Sequence, residues 1–149
     1  MSNTARDVIY RALRLIRVTA SGETPAAQEA TDALQTLNFF LGGLQTQGYH
    51  YAHTTLGLDD TINLQSMEGT LTQAQRDSLV GHLTWLLAFA LCPEYGKEPT
   101  KSMLADATAG RRAFAAAFVP VSPTTATDGY EWMPSRPWDT GRRGAINNL

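Results

Sequence analysis

Few side chains in this sequence combine a reactive type with a suitable spacing. His50 and His53, in the stretch "HYAH", would share a metal ion only if that stretch were helical. The surrounding alternation favours a strand, on which residues three apart point to opposite faces. No third ligand of the usual kind follows at a suitable spacing. We therefore expect no metal site, and we expect His82, within a helical pattern, to be a packed or surface histidine.

The remaining candidates for chemistry also have simpler explanations. Asp59 and Asp60 are adjacent at a predicted turn, where aspartates are common for reasons of turn geometry. Cys92 ends an apolar stretch and is expected to be a small buried hydrophobe. The sequence has no nucleophile elbow, phosphate loop, dinucleotide glycine pattern or zinc-protease motif. We expect no enzymatic activity and no cofactor.

Length and composition limit the class of protein. The chain has 149 residues, which suits one domain, and its 43% hydrophobic content with 17% charged residues is typical of globular proteins. A net charge of -2 argues against a surface that binds nucleic acid or anionic lipid throughout. A single cysteine excludes an intrachain disulfide and fits a reducing compartment. With no secretory signal pattern and no apolar run long enough to cross a bilayer, we expect a soluble protein without a membrane partner.

Four amphipathic or apolar segments predict four helices. Thr4 and Asp7 resemble a helix cap, Thr24 and Pro25 are expected to open the second helix, and Pro99 with Thr100 the fourth. The helices are expected to end near Arg17, Gln47, Cys92 and Phe118. Apolar residues recur at helical spacing in the first, second and fourth segments: Ala5, Val8, Ile9, Ala12, Leu13 and Ile16; Ala30, Ala33, Leu34, Leu37, Leu41 and Leu44; and Met103, Leu104, Ala107, Gly110, Phe114 and Phe118.

Two details of this pattern carry further expectations. Gly42 and Gly43 lie inside the second helix and predict a close helix crossing or a bend. The third helix, from about Gln73, becomes apolar on every side after Leu83, which indicates burial by more than one neighbour. Between helices 2 and 3, residues 49–65 alternate β-branched and aromatic residues around Gly57, which predicts a β-hairpin insert. The expected fold is therefore mainly α, a four-helix bundle over residues 1–118 with this insert.

The last segment, residues 119–149, is expected to be an extended C-terminal docking arm. Its prolines and glycines prevent a continued helix, yet it carries large side chains suited to a protein interface. The alternative is that the arm folds back and that Trp132 and Trp138 fill grooves on its own bundle. The candidate interface residues of the arm are Tyr130, Trp132, Met133, Pro134, Arg136, Trp138, Arg142 and Arg143.

Arginines and exposed apolar residues on the helices suggest two kinds of partner. The first helix collects Arg6, Arg11, Arg14 and Arg17 opposite its apolar face, and the fourth carries Arg111 and Arg112 on its polar side. The first-helix arginines suit a solvated face, which is favoured, or nucleic acid. The arm's mixture of arginines and aromatics suits single-stranded nucleic acid or a protein interface, and the low net charge favours the protein interface. Phe39 lies off the apolar stripe of its helix. We expect Phe39, Arg14 and Arg111 to lie at interfaces between subunits.

The order of these features resembles the head-to-tail connector proteins of tailed phages, the adaptor or packaged-DNA stabilisation family. The resemblance runs through the basic first helix, the "TPAAQEATDALQTLNFFLGGLQTQG" helix, the small insert, "LCPEYGKEP", the alanine-rich helix and "YEWMP". Its most specific piece is Pro93 to Gly96 with Lys97 to Pro99. Each motif is weak alone, and their order along nearly the whole chain makes the case.

The resemblance implies a structural virion protein of the neck, made in the host cytoplasm. It implies a ring, usually dodecameric, below the portal protein; the ring helps retain packaged DNA and offers an attachment site to nozzle or tail-tube proteins. The C-terminal arm would grip the portal. DNA would pass through the lumen without specific binding, so we expect the first-helix arginines to face protein or outer solvent. The alternatives are a small helical DNA-binding regulator and, less favoured, a virion cell-wall hydrolase with Glu94 or Glu98 as the acid.

Overall fold

The protein is mainly helical. A computed structural model describes residues 3–67 and 69–119, and these residues contain four α-helices. The helices are α1 (Ala5–Leu15), α2 (Ala27–Thr46), α3 (Gln73–Leu91) and α4 (Lys101–Phe118). Helix α3 packs against each of the other three helices, and α1 also packs against α2. The apolar character of α3 on all sides follows from this position, as the sequence predicted.

Side-chain caps set the beginnings of three helices where the sequence predicted them. The Thr4 hydroxyl accepts a hydrogen bond from the Asp7 amide at 3.2 Å, and the Asp7 carboxylate accepts one from the Thr4 amide. Thr72 caps α3 in the same way, and the Thr100 hydroxyl accepts from the Met103 amide at 3.2 Å at the start of α4. Each cap satisfies amide groups that have no partner within the helix.

The N-cap of helix α2 lies two residues after the expected Thr24. This N-cap is Ala26, whose amide donates to the Glu29 carboxylate at 3.0 Å. Glu29 therefore supplies only the half of a capping box that binds the N-cap amide, and Ala26 has no side-chain oxygen to accept from the first-turn amides. Proline is not at the first helical position either, because Pro25 precedes the cap.

The close helix crossing expected at Gly42 and Gly43 lies elsewhere. A Cβ atom added at either glycine would meet nothing within 4 Å. At Gly110 on α4, however, an added Cβ would lie 3.2 Å from the Leu86 Cγ and 3.4 Å from the His82 Cβ on α3. The tight crossing therefore joins α3 to α4, and Gly110 permits it.

The fourth helix buries a narrower stripe than the sequence suggested. Met103, Ala107, Gly110, Phe114 and Phe118 are buried, as predicted. Leu104 is 54% exposed, so its place in the expected stripe was wrong. It follows Met103 by about 100° around the helix, and α4 contacts only α3 among the helices, so one face alone is covered.

The predicted β-hairpin insert was wrong. Residues 49–65 form no strand; they take part in two isolated bridges, Thr4 with Thr61 and Tyr51 with Ser66. Their backbone groups bond to surrounding parts instead: the His50 amide donates to the Phe118 carbonyl at 2.7 Å, and the Leu56 amide to the Asn38 side chain at 2.8 Å. The alternating apolar residues anchor this extended segment in the helical core, where Tyr51, Ile62 and Leu64 are buried.

The turn predicted within this segment is present. The Gly57 amide donates to the Asp60 carboxylate at 2.6 Å, and the Asp60 amide donates to the Gly57 carbonyl at 3.3 Å. Asp59 forms an ion pair with Arg6 at 2.8 Å, which fastens the turn to α1. The adjacent aspartates therefore serve the turn and its contact with α1.

Helix α4 ends at Phe118, where the sequence predicted the end of the fourth helix. Val119 follows in an extended conformation and is 41% exposed. The arm beyond it, with its eight candidate interface residues, lies outside the described residues.

Candidate functional site

The structure places Phe39 and Arg111 on one groove between α2 and α4. The groove encloses about 240 Å³, and the Phe39 side chain is 70% exposed beside it. The other lining residues come from the last turns of α2 and from the loop directly after it: Phe40, Gly43, Leu44, Gln47 and Tyr49. We call this the α2–α4 groove. It joins an exposed aromatic ring to a guanidinium, two groups that are enriched at protein interfaces.

Arg14 lies on a different groove, between α1 and α3. This α1–α3 groove encloses about 320 Å³ and is lined by Arg11, Arg14, Leu15, Gly81, Thr84 and Trp85. The Thr84 hydroxyl donates to the Val80 carbonyl at 3.1 Å, so it needs no partner from outside. An added Cβ at Gly81 would meet nothing within 4 Å, which leaves open space beside the half-buried Trp85 ring. The floor is therefore largely apolar and the rim is basic.

The arginines of the first helix differ in their partners. Arg6 is paired with Asp59, and this carboxylate raises the pKa of the guanidinium. Arg11, Arg14 and Arg17 are exposed and form no ion pair with any residue in the described part of the chain. The rim of the α1–α3 groove therefore carries positive charge that is not neutralised by described residues.

Asp32 of α2 and Glu94 of the turn after α3 make one end of the outer face of α2 acidic. Asp32, Thr36 and Phe39 follow at helical spacing, so they lie on one face of this helix. The Thr36 hydroxyl donates to the Glu94 carboxylate at 3.0 Å, which brings the turn after α3 against this face. Burial raises the pKa of the neighbouring Tyr95, as do the negative charges of nearby carboxylates: Glu29, Asp32 and Glu94. We call Asp32, Phe39 and Glu94 the α2 edge.

The histidines and the cysteine occupy separate environments. His53 is half-buried, and burial lowers its pKa. His82 is half-buried against α4, in agreement with a packed histidine. Cys92 is 1% exposed, and burial raises the pKa of its thiol, as expected for a small buried hydrophobe. Among the described residues, no group of three potential ligands is placed to hold a metal ion.

One further cavity was not anticipated from the sequence. It encloses about 550 Å³ at the start of α3, where the Asn3 amide donates to the Asp77 carboxylate at 3.1 Å. The Arg76 Nε atom is buried there without a partner in the described part of the chain, while the Nη2 atom of the same guanidinium donates to the Gln73 side-chain oxygen at 3.0 Å. Dispersed polar residues form this cavity, and no motif marks them.

The surface positions of Trp85 and Glu94 were also not predicted from the sequence. The apolar pattern of α3 indicated burial on every side, yet Trp85 remains half-buried because α1 and α4 leave a gap over it. Glu94 was considered only as a possible acid, and its hydrogen bond to Thr36 depends on how α2 meets the turn. The sequence around neither residue indicates that its side chain lies at the surface.

Comparison with protein-family models finds no match for this chain, and comparison with curated proteins finds none either. Within residues 3–67 and 69–119, no helix combines the length and apolar content needed to cross a membrane.

Proposed function

We propose that the protein is a head-to-tail adaptor of a tailed phage: a subunit that forms a ring below the portal, helps retain packaged DNA and provides the tail attachment site. The observation that carries this proposal is the presence of two unlike grooves on different helix pairs, α2–α4 and α1–α3. A closed ring of identical subunits requires two different faces on each subunit, because its contacts are heterologous. The order of sequence features, which resembles the connector family, supplies the biological context.

The proposed subunit is a four-helix bundle in which α3 packs against the other three helices and lines one of the two grooves. Phe39 and Arg111 belong to one face and Arg14 to the other, consistent with their proposed roles between subunits. The Phe39 side chain is 70% exposed, so it contributes little to the stability of the isolated subunit. Its burial in an interface would stabilise the assembly, because apolar surface would leave water. The helical part would therefore make the ring.

The C-terminal arm is proposed to bind the portal. Its aromatic and methionine residues would be anchors, and its arginines would supply charged contacts at the rim. In this proposal the helical part makes the contacts between subunits, and the arm makes the contact with the capsid. Tail proteins would bind the opposite end of the ring, and packaged DNA would pass through its lumen.

A second candidate function is a small helical DNA-binding regulator. It is favoured by Arg11, Arg14 and Arg17, which form no ion pair among the described residues. Duplex binding through several phosphate contacts would weaken steeply as salt rises, because counterions are released on binding. The adaptor requires no such binding, so the salt dependence of duplex affinity separates the two functions.

The proposal is tested by portal binding of the full chain and of a chain ending at Pro120. We expect the full chain to co-sediment with assembled portal and the shortened chain to melt cooperatively but not to co-sediment. If the shortened chain unfolds, the arm belongs to the bundle, as in the alternative in which Trp132 and Trp138 fill its grooves. A full chain that stays monomeric and has no affinity for portal contradicts the adaptor function.

A further inference from the structure

We propose that the α1–α3 groove of one copy binds the α2 edge of a second copy, head to tail. In this contact Asp32 and Glu94 of one copy meet Arg11 and Arg14 of the other, and Phe39 enters the groove beside Trp85. The inference rests on the proposed ring, for which it names the contact between neighbouring subunits.

Charge is segregated along the chain in the way this contact requires. Helix α1 carries Arg6, Arg11 and Arg14 with Asp7 as its only acid, and Arg17 follows it. From residue 18 to residue 75 the sequence contains no lysine or arginine, so α2 carries Glu29 and Asp32 without a basic residue. The Asp32 and Glu94 end of the α2 edge is therefore opposite in charge to the groove, whereas Arg111 lies beside Phe39 at the other end. Opposite charges steer association and fix register.

The groove and the edge also match in apolar character. Phe39 is the large exposed apolar residue on the α2 edge, and the α1–α3 groove offers Leu15, Trp85 and the open space at Gly81. Its volume of about 320 Å³ exceeds that of a phenylalanine side chain. An aromatic anchor in a pocket with charged pairs around it is the usual arrangement of a protein interface.

The same features favour a second copy over nucleic acid at this groove. Leu15 and Trp85 form an apolar floor between the arginines, and the phosphate groups of a duplex gain nothing from contact with apolar side chains. The α2 edge supplies both an acidic and an aromatic partner on one helical face. Asp32 and Phe39 are separated by about 10 Å along the axis, since each residue advances a helix by 1.5 Å.

Charge exchange tests this contact in the full-length protein. One variant carries Arg11→Glu and Arg14→Glu, and the other carries Asp32→Lys and Glu94→Lys. Glu29 is left unchanged because its carboxylate caps α2. Sedimentation velocity up to the highest soluble concentration measures self-association, and thermal melting checks folding. We expect each variant alone to associate about tenfold or more weakly than the natural chain.

Mixing the two variants should restore association, because each then presents a groove and an edge of opposite sign to the other. A chain with all four substitutions should associate by itself for the same reason. A matched control for the arginine variant carries Lys101→Glu and Arg112→Glu, both exposed on α4. It makes the same change in net charge as Arg11→Glu with Arg14→Glu and should associate as the natural chain does. This control separates a specific contact from a general effect of charge.

Several results would overturn the inference. They are a natural chain that remains monomeric at every concentration, variants that associate normally, and weakened variants that fail to recover on mixing. Duplex DNA binding that requires Arg11 and Arg14 in a monomeric chain would favour the regulator instead. If the charge-reversed variants still form a ring and bind the portal, the adaptor function stands and only the proposed contact between subunits is wrong. If self-association depends on these charges but the protein does not bind the portal, the contact between copies stands and the adaptor function is wrong.

Discussion

Gly110 of α4 lies directly against Leu86 of α3. A Cβ atom added at Gly110 would approach the Leu86 Cγ to 3.2 Å, and Leu86 is only 3% exposed. The side chain of Leu86 has little space into which it can retreat, since protein cores are close-packed. The absence of a side chain at position 110 therefore determines how closely the two helices approach.

We predict that Gly110→Ala lowers the free energy of unfolding by about 1 kcal/mol. Helix propensity favours alanine by about 1 kcal/mol, but overpacking against Leu86 costs about 1–3 kcal/mol. The matched control is Gly42→Ala in α2, where an added Cβ meets nothing within 4 Å. This control should stabilise the protein by about 0.5–1 kcal/mol in urea unfolding. Equal stabilisation by both substitutions would show that the α3–α4 crossing tolerates a methyl group.

Tyr51 ties the extended segment to two helices, and its hydroxyl can be removed without its ring. The buried hydroxyl donates to the Leu41 carbonyl, and the ring centroid lies 5.1 Å from that of Phe118. We expect Tyr51→Phe to cost about 1 kcal/mol through the lost hydrogen bond, and Tyr51→Ala about 3–5 kcal/mol through the cavity. Denaturant unfolding measures both. Similar losses for the two variants would mean that the ring contributes little.

The same hydroxyl predicts how stability depends on alkaline pH. Burial raises the pKa of Tyr51 above its usual range. An unfolded tyrosine ionises near pH 10, whereas the folded one stays neutral to higher pH. The contribution of Tyr51 is therefore complete below about pH 10 and is lost as pH rises toward the folded pKa. Between about pH 9 and pH 11, the natural chain should lose more stability than Tyr51→Phe; parallel pH profiles would argue against this.

Phe39→Ser is predicted to separate assembly from folding. The side chain is 70% exposed, so the free energy of unfolding of the monomer should change by less than about 0.5 kcal/mol. Self-association should fall, because the exposed ring is a proposed anchor between subunits. Leu104→Ser on α4 is the control, since this residue is also exposed, at 54%, and lies on neither groove. Equal effects of both substitutions on sedimentation would indicate nonspecific apolar association.

The helices could be predicted from the sequence because their signals are local. Thr4 and Thr100 cap the helices that follow them, and a 3.6-residue period marks the buried faces of α1, α2 and α4. The hairpin was predicted wrongly because a two-residue alternation shows only that alternate side chains are buried. Tyr51 and Leu64 are buried against helices, and the backbone bonds mostly to groups other than a partner strand.

The interaction surfaces could be predicted only as separate residues. Phe39 is out of phase with the buried stripe of α2, so its exposure follows from the period, and Arg111 lies on the polar side of α4. That the two line one groove depends on the spacing of α2 and α4, which no local pattern encodes. Trp85 was hidden for the same reason, since its exposure depends on a gap left by neighbouring helices.

Imaging of assembled portal mixed with the full-length chain tests the adaptor function most directly. Electron microscopy of the purified mixture should show a closed ring of this protein below the portal, with one face of each subunit against the opposite face of the next. Phe39→Ser should reduce ring occupancy while the protein remains folded. Portal particles without added density, together with a chain that stays monomeric in solution, would contradict the proposed function.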